Sequence, residues 1–310
     1  MQTGSRVAIG HMAALSAYLI FGFNIVMTKG LTNAHIFTPL SLFTLRAVGA
    51  GTLFWLLSLF TKSESVAKRD YALIFLASML GFFGTQITFL VGIDQATPLD
   101  CAIISTFQPV ITMLVAAVVL KEPITLLKGG GVAVSLVGIL TLIMCSTQHA
   151  DDGTRATTPF GIVMLLLNCL CFACYLGIFR PLIQRYSVVT FMKWIFFFAF
   201  ITSAPFTVGD IMRVNYAAVP AKCYAELAFL VFFATFVAYF LIPVGQKALR
   251  PTLVGLYSYV QPIIASALGI YLGMDTLSAG KLMAVAAVVA GVVMVNKSRG
   301  KQHTTTNNNT

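Results

Sequence analysis

Two glutamine–proline steps are the residues of this sequence whose type and spacing are best suited to chemistry. Gln108-Pro109 recurs as Gln261-Pro262, an offset of 153 residues, and Ser105 recurs as Ser258 at the same offset. A proline inside a helix donates no backbone hydrogen bond and collides with the carbonyl four residues earlier, which here belongs to the serine. Each step is therefore predicted to break its helix and to free a carbonyl beside a hydroxyl and an amide.

Polar groups freed in an apolar run need hydrogen-bond partners. Neighbouring helices, water or a bound solute could supply them. The alternative is that the two steps only kink their helices and that serine and glutamine hold neighbouring helices together. The sequence leaves both interpretations open.

Arg46 lies about 12 Å inside the second apolar run, at 1.5 Å per residue. An ionisable group at that depth is costly and tends to face a cavity or a partner, so we expect Arg46 to bind substrate or to act in gating. Lys193 is nearer the end of its run, where snorkelling to the headgroups explains it. Tyr257 and Gln261 are four residues apart and share a helix face.

These considerations give a set of candidate substrate-binding residues, with Pro109 and Pro262 as helix breaks or gates. The predicted substrate-binding residues are Asn24, Arg46, Ser105, Gln108, Tyr175, Tyr257, Ser258 and Gln261.

The composition predicts a membrane protein. The chain has 310 residues, of which 58% are hydrophobic and 10% are charged, and its mean hydropathy is +0.89. Soluble domains carry about 25% charged residues, so this chain needs lipid around its outer face. Its net charge of +10 is scattered through short loops, whereas a nucleic-acid-binding protein would gather such charge in one patch.

Ten apolar runs are long enough, or nearly so, to cross a bilayer, which takes about 20 residues as a helix. The predicted fold class is an all-α membrane protein with ten transmembrane helices in two inverted five-helix repeats. The runs are 7–28, 38–60, 71–92, 99–119, 126–145, 159–179, 188–206, 224–244, 252–272 and 279–296.

The basic residues predict the orientation. With the N-terminus in the cytoplasm, 13 lysines and arginines face inside and 5 face outside, as the positive-inside rule requires. Both termini are then cytoplasmic, and an odd number of helices per repeat places the second copy upside down. The loops agree, since Asp94 outside corresponds to Lys247 inside. Inverted repeats give a carrier two related conformations that open to opposite sides.

Four segments follow from these runs. We predict a first repeat over 7–145, a linker over 146–158, a second repeat over 159–296 and a basic, polar cytoplasmic tail over 297–310.

Other kinds of chemistry find little support. All ten acidic residues lie in loops or at helix ends, whereas many proton-driven carriers use a carboxylate buried in mid-membrane. We therefore expect exchange or downhill transport. Cys171 and Cys174 form a lone CxxC on an apolar helix, without the second ligand pair that a zinc site needs. No cofactor or metal is predicted, and an intramembrane enzyme is the least favoured alternative.

The sequence resembles the EamA family of the drug/metabolite transporter superfamily. The resemblance covers about 7–296 and rests on the GFN step at Asn24, on Arg46 after Pro39, on the segments Gly92–Pro98 and Leu120–Pro123, and on Gln108-Pro109 followed by glycine-rich Lys128–Gly138. In the second copy, Met274-Asp275-Thr276 stands where the family often has a glutamate-rich step. The resemblance implies a ten-helix inner-membrane carrier of small metabolites, often an exporter of amino acids or related compounds.

The resulting functional prediction is a secondary transporter that works by alternating access in the plasma or bacterial inner membrane. Arg46 indicates an anionic group on the substrate, so an amino acid or related carboxylate is expected, with export as its direction. A channel or a non-transporting sensor on the same bundle is the alternative. Expected partners are a small-molecule substrate and membrane lipid, without nucleic acid. Small residues of the last helix, such as Gly280 and Ala284, would permit a monomer or a homodimer.

Overall fold

The structure is a computed structural model. It describes residues 2–62, 64–120, 126–148, 157–274, 278–280, 282–291 and 293–294. The predicted tail 297–310, most of the predicted linker and the Lys-Glu-Pro part of Leu120–Pro123 lie outside these residues.

The described chain is helical throughout, and its helices follow the apolar runs. Two π-helical turns, Met79–Gly84 and Leu230–Val237, and two 3₁₀ turns, Tyr216–Ala218 and Tyr257–Tyr259, interrupt or join the α-helices. The α-helices are α1 Gln2–Asn33, α2 Pro39–Leu59, α3 Lys68–Ser78, α4 Thr85–Asp94, α5 Pro98–Ser105, α6 Gln108–Leu120, α7 Leu126–Gln148, α8 Pro159–Ile178, α9 Arg180–Arg185, α10 Val188–Arg213, α11 Ala221–Phe229, α12 Ala238–Ala248, α13 Pro251–Leu256, α14 Val260–Tyr271 and α15 Leu282–Gly291.

Threonine–proline pairs start three of the long helices. The hydroxyls of Thr38, Thr97 and Thr158 each accept a hydrogen bond from a backbone amide of the first turn, and proline follows at the first helical position. Proline suits that position because its missing N–H would have no partner there in any case. The sequence thus places helix starts where the chain turns back.

Eight of the helical segments are long and apolar enough to cross a membrane, by length and composition. They match the predicted runs from 7–28 to 99–119 and from 159–179 to 252–272. The two remaining runs, 126–145 and 279–296, contain the shorter apolar helices Gly129–Gly138 and Leu282–Gly291. Ten crossings and an inverted arrangement of the repeats therefore stay predictions.

The two halves of the chain pack into each other. Helix α2 of the first half packs along α10 of the second, α1 packs against α12 and α14, and α4 and α6 pack against α8. Residues separated by 153 positions even touch: Gln86 donates to the Tyr239 hydroxyl at 2.8 Å, and Ser135 donates to the Val288 carbonyl at 3.3 Å. Two pairs of equivalent residues of the copies are therefore in direct contact across the boundary between the halves.

Polar contacts tie the two halves together at one end of the bundle. Arg185 and the Tyr186 hydroxyl both donate to the buried Asp70 carboxylate at 2.6 Å, and the Ser187 amide donates to Glu64 at 2.9 Å. Burial alone would raise the pKa of Glu64, but hydrogen bonds from Ser187 and Thr190 and the charge of Lys247 hold that pKa below its usual value. Residues 64–70 and 185–190 are thereby joined at this end.

Candidate functional site

A polar cavity lies inside the bundle, between the two halves. Its walls enclose about 540 Å³ of space not filled by atoms, a figure that includes the part open to the outside. Both halves of the chain contribute to its wall. The lining residues are Tyr18, Phe21, Asn24, Ile25, Thr85, Gln86, Phe89, Ser105, Gln108, Asn168, Cys169, Phe172, Tyr239 and Gln261.

The first glutamine–proline step breaks its helix as the sequence predicts. Helix α5 ends at Ser105 and α6 begins at Gln108, with two turn residues between them. The backbone amides of Thr106 and Phe107 bond to carbonyls only three residues back, at 3.0 and 2.9 Å. The break leaves the side chains of Ser105 and Gln108 at the cavity wall.

The second step also interrupts its helix, but by a tighter turn. Helix α13 ends at Leu256, residues Tyr257–Tyr259 form a 3₁₀ turn, and α14 begins at Val260. Gln261 lies one residue inside α14 and reaches the cavity wall. Pro109 and Pro262 therefore both lie just after a helix break, which is the local structure that their missing N–H favours.

The two glutamines differ in their hydrogen bonds. The Gln108 amide nitrogen donates to the Thr112 hydroxyl and to the Cys169 carbonyl, both at 3.1 Å. The Gln261 side chain is half-buried and makes no hydrogen bond within the described part of the chain. The second glutamine thus presents a complete amide, with two donors and one acceptor, to the cavity.

Further polar atoms of the wall have no partner among the described residues. They are the Tyr18 hydroxyl and the Gln86 side-chain oxygen, both buried. The nitrogen of the same Gln86 amide bonds to Tyr239, and Asn168 donates to the Thr85 carbonyl at 2.7 Å. Buried polar groups in proteins are normally paired, so these two atoms retain unused capacity for hydrogen bonding.

Aromatic rings form the apolar side of the cavity. The Tyr239 ring packs edge-on against Phe21 at 6.0 Å and against Phe82 at 5.1 Å between centroids. Phe89 and Phe172 line the cavity as well. Ring faces and edges of this kind suit a planar or partly apolar solute.

Four of the eight predicted substrate-binding residues line the cavity, and four do not. Asn24, Ser105, Gln108 and Gln261 are in its wall.

The other four candidates lie elsewhere. Arg46 is fully buried and donates from Nε to the Thr235 hydroxyl at 2.8 Å. Tyr175 is buried with its ring against Gly81, at a point where no side chain would fit. Tyr257 hydrogen-bonds to His11 at 2.6 Å. The Ser258 hydroxyl is buried without a partner among the described residues.

Several lining residues escaped the sequence-based selection. Thr85, Gln86, Asn168 and Tyr239 are polar groups in apolar helices, but nothing in helical periodicity separates them from groups that only bridge helices. One signal could have found two of them: Gln86 and Tyr239 are related by the same offset of 153 residues as the two glutamine–proline steps. Tyr18, Phe21 and Phe172 carry no comparable signal, because aromatic residues are common in membrane helices.

The wall of the cavity carries no Asp, Glu, Lys or Arg among the described residues. Those residues also hold no group of three or more His, Cys, Asp or Glu side chains that could bind a metal ion. What the wall offers is hydrogen bonding by amides and hydroxyls beside aromatic surface. Amides and hydroxyls can hydrogen-bond to a polar solute, and aromatic rings can pack against its apolar part.

Relatives of the chain are transporters by name. It is 21% identical over 263 residues to the uncharacterized transporter YyaM of Bacillus subtilis, covering 83% of this chain and 84% of that protein. It is 23% identical over 279 residues to the S-adenosylmethionine/S-adenosylhomocysteine transporter of Chlamydia trachomatis serovar L2, covering 85% and 82%. A solved crystal structure shares the fold, with a TM-score of 0.63 and 17% identity over 94% of this chain and 98% of that one.

The model of the EamA-like transporter family matches residues 8–144 and again residues 159–297. Two matches to one family model in a single chain confirm the two-repeat organisation that the recurring residues indicated, together with the resemblance to this family. The apolar helices make the chain a multi-pass membrane protein. The chain therefore belongs to the EamA-like transporter family, and it is a membrane transporter and not an enzyme.

Proposed function

We propose that this protein is a secondary transporter that moves an amino acid or a related small carboxylate across the plasma membrane, the inner membrane in a bacterium, by alternating access. In this proposal the halves 7–145 and 159–296 rock about the cavity, both termini are cytoplasmic, and the substrate is exported. Export is the direction that the resemblance to the family implies.

One observation carries the proposal: both glutamine–proline steps bring their glutamine to one cavity between the halves. Carriers with internal repeats typically bind substrate where broken helices of the two repeats meet. The bonding potential of the wall supports a zwitterionic or neutral polar solute, because amides and hydroxyls can both donate and accept. The described wall has no charged side chain, so it offers no counter-charge to a permanently ionic substrate.

The S-adenosylmethionine/S-adenosylhomocysteine transporter of Chlamydia trachomatis gives the substrate class a more specific form. Both compounds join an amino-acid group to a planar base. Aromatic rings of the wall supply apolar surface for such a base, namely Phe21, Phe89, Phe172 and Tyr239. The Gln261 amide, which has no hydrogen-bond partner among the described residues, can donate to and accept from the polar edge of the base. We infer that amino acids with a planar or aromatic side group belong in the first test.

The mechanism follows from the contacts between the halves. The buried Asp70 carboxylate accepts hydrogen bonds from Tyr186 and from the half-exposed Arg185, and these bonds join the two halves at one end of the bundle. Opening that end requires these bonds to break, while the helices around the breaks change direction at residues that already lack regular helical bonding. Substrate binding favours the state in which Gln261 has partners, and this difference in affinity shifts the conformational equilibrium.

The test is transport into proteoliposomes made with purified protein. Labelled amino acids, carboxylates, a nucleobase, S-adenosylmethionine and S-adenosylhomocysteine are compared with empty vesicles and with Thr52→Val, an exposed position outside the polar cavity. We expect saturable uptake of at least one solute and faster uptake when the same solute is inside. Uptake no faster than in empty vesicles for the whole panel would refute the proposal, and uptake without saturation or trans-stimulation would indicate a channel.

A further inference from the structure

Arg46 is a buried cation that the cavity does not directly use. Its side chain is fully shielded from solvent, and Nε donates to the Thr235 hydroxyl at 2.8 Å. Thr235 in turn donates to the Leu230 carbonyl at 2.6 Å, five residues back in the second π-helical turn. Both terminal nitrogens of the Arg46 guanidinium lack a partner among the described residues.

A buried guanidinium without a counter-ion is unusual, because removing a charge from water is costly unless an opposite charge compensates it. Asp70 forms ion pairs with Arg69 and Arg185, and Glu226 forms one with Lys222. None of these pairs includes Arg46. The structure thus keeps a fixed positive charge in the apolar interior at some energetic cost.

Tyr239 connects this charge to the cavity. It follows Thr235 by four residues along the same continuous helical segment, its ring lines the cavity, and its hydroxyl accepts a hydrogen bond from Gln86 at 2.8 Å. The phenol therefore stands at the cavity wall, about one helical turn after the threonine that binds the guanidinium.

We propose that Arg46 is the charge filter of the cavity, acting through Tyr239 to favour solutes that carry a carboxylate and to disfavour solutes whose net charge is positive. Of the two solutes named above, the zwitterionic S-adenosylhomocysteine should then be preferred over S-adenosylmethionine, whose sulfonium makes it a net cation. The inference rests on the proposed transport function and narrows its substrate class. A unit charge about 10 Å away at an effective dielectric constant of about 20 changes binding roughly tenfold. A cationic form of the substrate is disfavoured by that factor, and an anionic form gains correspondingly.

In this role Arg46 determines specificity without touching the solute. The test is therefore the ratio of the affinities for a carboxylate-bearing solute and for its carboxamide. Two probes are compared. The first is the carboxylate-bearing solute that wild-type protein transports fastest, and the second is the same solute with its carboxylate replaced by an uncharged carboxamide of nearly equal size. Both compete with the labelled solute in proteoliposomes, and the ratio of their half-inhibition concentrations is measured for wild type, Arg46→Lys, Arg46→Gln and Thr235→Val.

Wild type, Arg46→Lys and Thr235→Val retain the charge and are expected to prefer the acid over the carboxamide at least about tenfold. Arg46→Gln should lose most of that preference while still transporting the solute. A purely structural role would lower both affinities together and leave the ratio unchanged, so an unchanged ratio in Arg46→Gln overturns the proposal. Should Arg46→Gln fail to fold, equal inhibition of wild type by the acid and the carboxamide overturns it instead.

Different results would refute the transport function and the charge filter. If wild type transports nothing in the panel, the transport function fails. If it transports carboxylates but shows no preference between acid and carboxamide, the proposed function stands and the charge filter alone is wrong. Transport only of solutes without a carboxylate would refute both the filter and the proposed substrate class.

Discussion

The two glutamine–proline steps are equivalent in sequence and unequal in structure. At the first, Gln108 is buried and its amide nitrogen is already bound to Thr112 and Cys169. At the second, Gln261 is half-buried with its amide unbound within the described chain. The repeat thus supplies two copies of one glutamine–proline step. The glutamine of the first copy bonds to a neighbouring helix, whereas the amide of the second has no partner within the described chain. Packing against α8 makes the difference, because the Cys169 carbonyl lies within reach of Gln108.

The largest expected effect separates the two copies directly. Gln261→Ala should lower transport at least about tenfold, since it removes a free amide that would otherwise make about one or two hydrogen bonds to the solute. Its apparent melting temperature should stay near that of wild type, because no bond within the described chain is lost. Initial rates in proteoliposomes and thermal unfolding in detergent measure the two quantities. A strongly destabilised Gln261→Ala protein would show that this glutamine holds the bundle together after all.

Gln108→Ala should show the opposite balance. The change removes an interhelical bond to α8, and such bonds in membranes average about 0.6 kcal/mol, so a modest loss of stability should accompany a smaller loss of transport than in Gln261→Ala. The same pair of measurements applies. Full activity of both alanine variants would remove the two glutamines from the site.

The bond between Gln86 and Tyr239, which joins the two halves, should contribute less. Gln86→Leu and Tyr239→Phe each remove the 2.8 Å bond between these side chains, and a double-mutant cycle on unfolding should give a coupling free energy of about 0.6 kcal/mol. Additive effects of the two changes would mean that Gln86 and Tyr239 are independent and that the contact adds nothing to the joining of the halves.

Replacing the serines should change the free energy of unfolding least. Ser105→Ala should lower it slightly, and Ser258→Ala should leave it unchanged or raise it. Ser105 donates to the Cys101 carbonyl at 2.9 Å, so Ser105→Ala should cost a few tenths of a kcal/mol, within about 0.5. The Ser258 hydroxyl is buried without a partner in the described residues, so Ser258→Ala should be neutral or slightly stabilising. Thermal unfolding of the two variants side by side checks this. A clear loss of stability in Ser258→Ala alone would show that its hydroxyl is bonded.

Sequence reasoning succeeded where local chemistry decides the structure. Apolar run length predicted the membrane helices, and proline chemistry predicted both helix breaks, because these properties depend on a few neighbouring residues. The offset of 153 residues, together with the family resemblance, was enough to identify the repeat. These signals also brought Ser105, Gln108 and Gln261 into the candidate set before any contact was known.

Sequence reasoning could not tell which face of each helix meets the cavity. Arg46 looked like a lining residue, but its guanidinium bonds to Thr235 in a π-helical turn. Such a turn inserts extra residues per turn and rotates the following face away from the 3.6-residue period. Tyr175 was predicted to bind substrate and packs instead against Gly81, in the other π-helical turn. Long-range packing sets these rotations, so the sequence period alone does not contain them.

The most direct test of the central claim is solute protection at position 261. Gln261→Cys is placed in a variant whose six native cysteines are replaced, with Thr52→Cys in the same background as a control outside the cavity. A membrane-permeant maleimide then labels each protein with and without the transported solute. We predict that the solute slows labelling at position 261 in proportion to its occupancy and leaves position 52 unchanged. Equal labelling of position 261 with and without solute, at a concentration that saturates transport by the same variant, would contradict a binding site at the glutamine–proline steps.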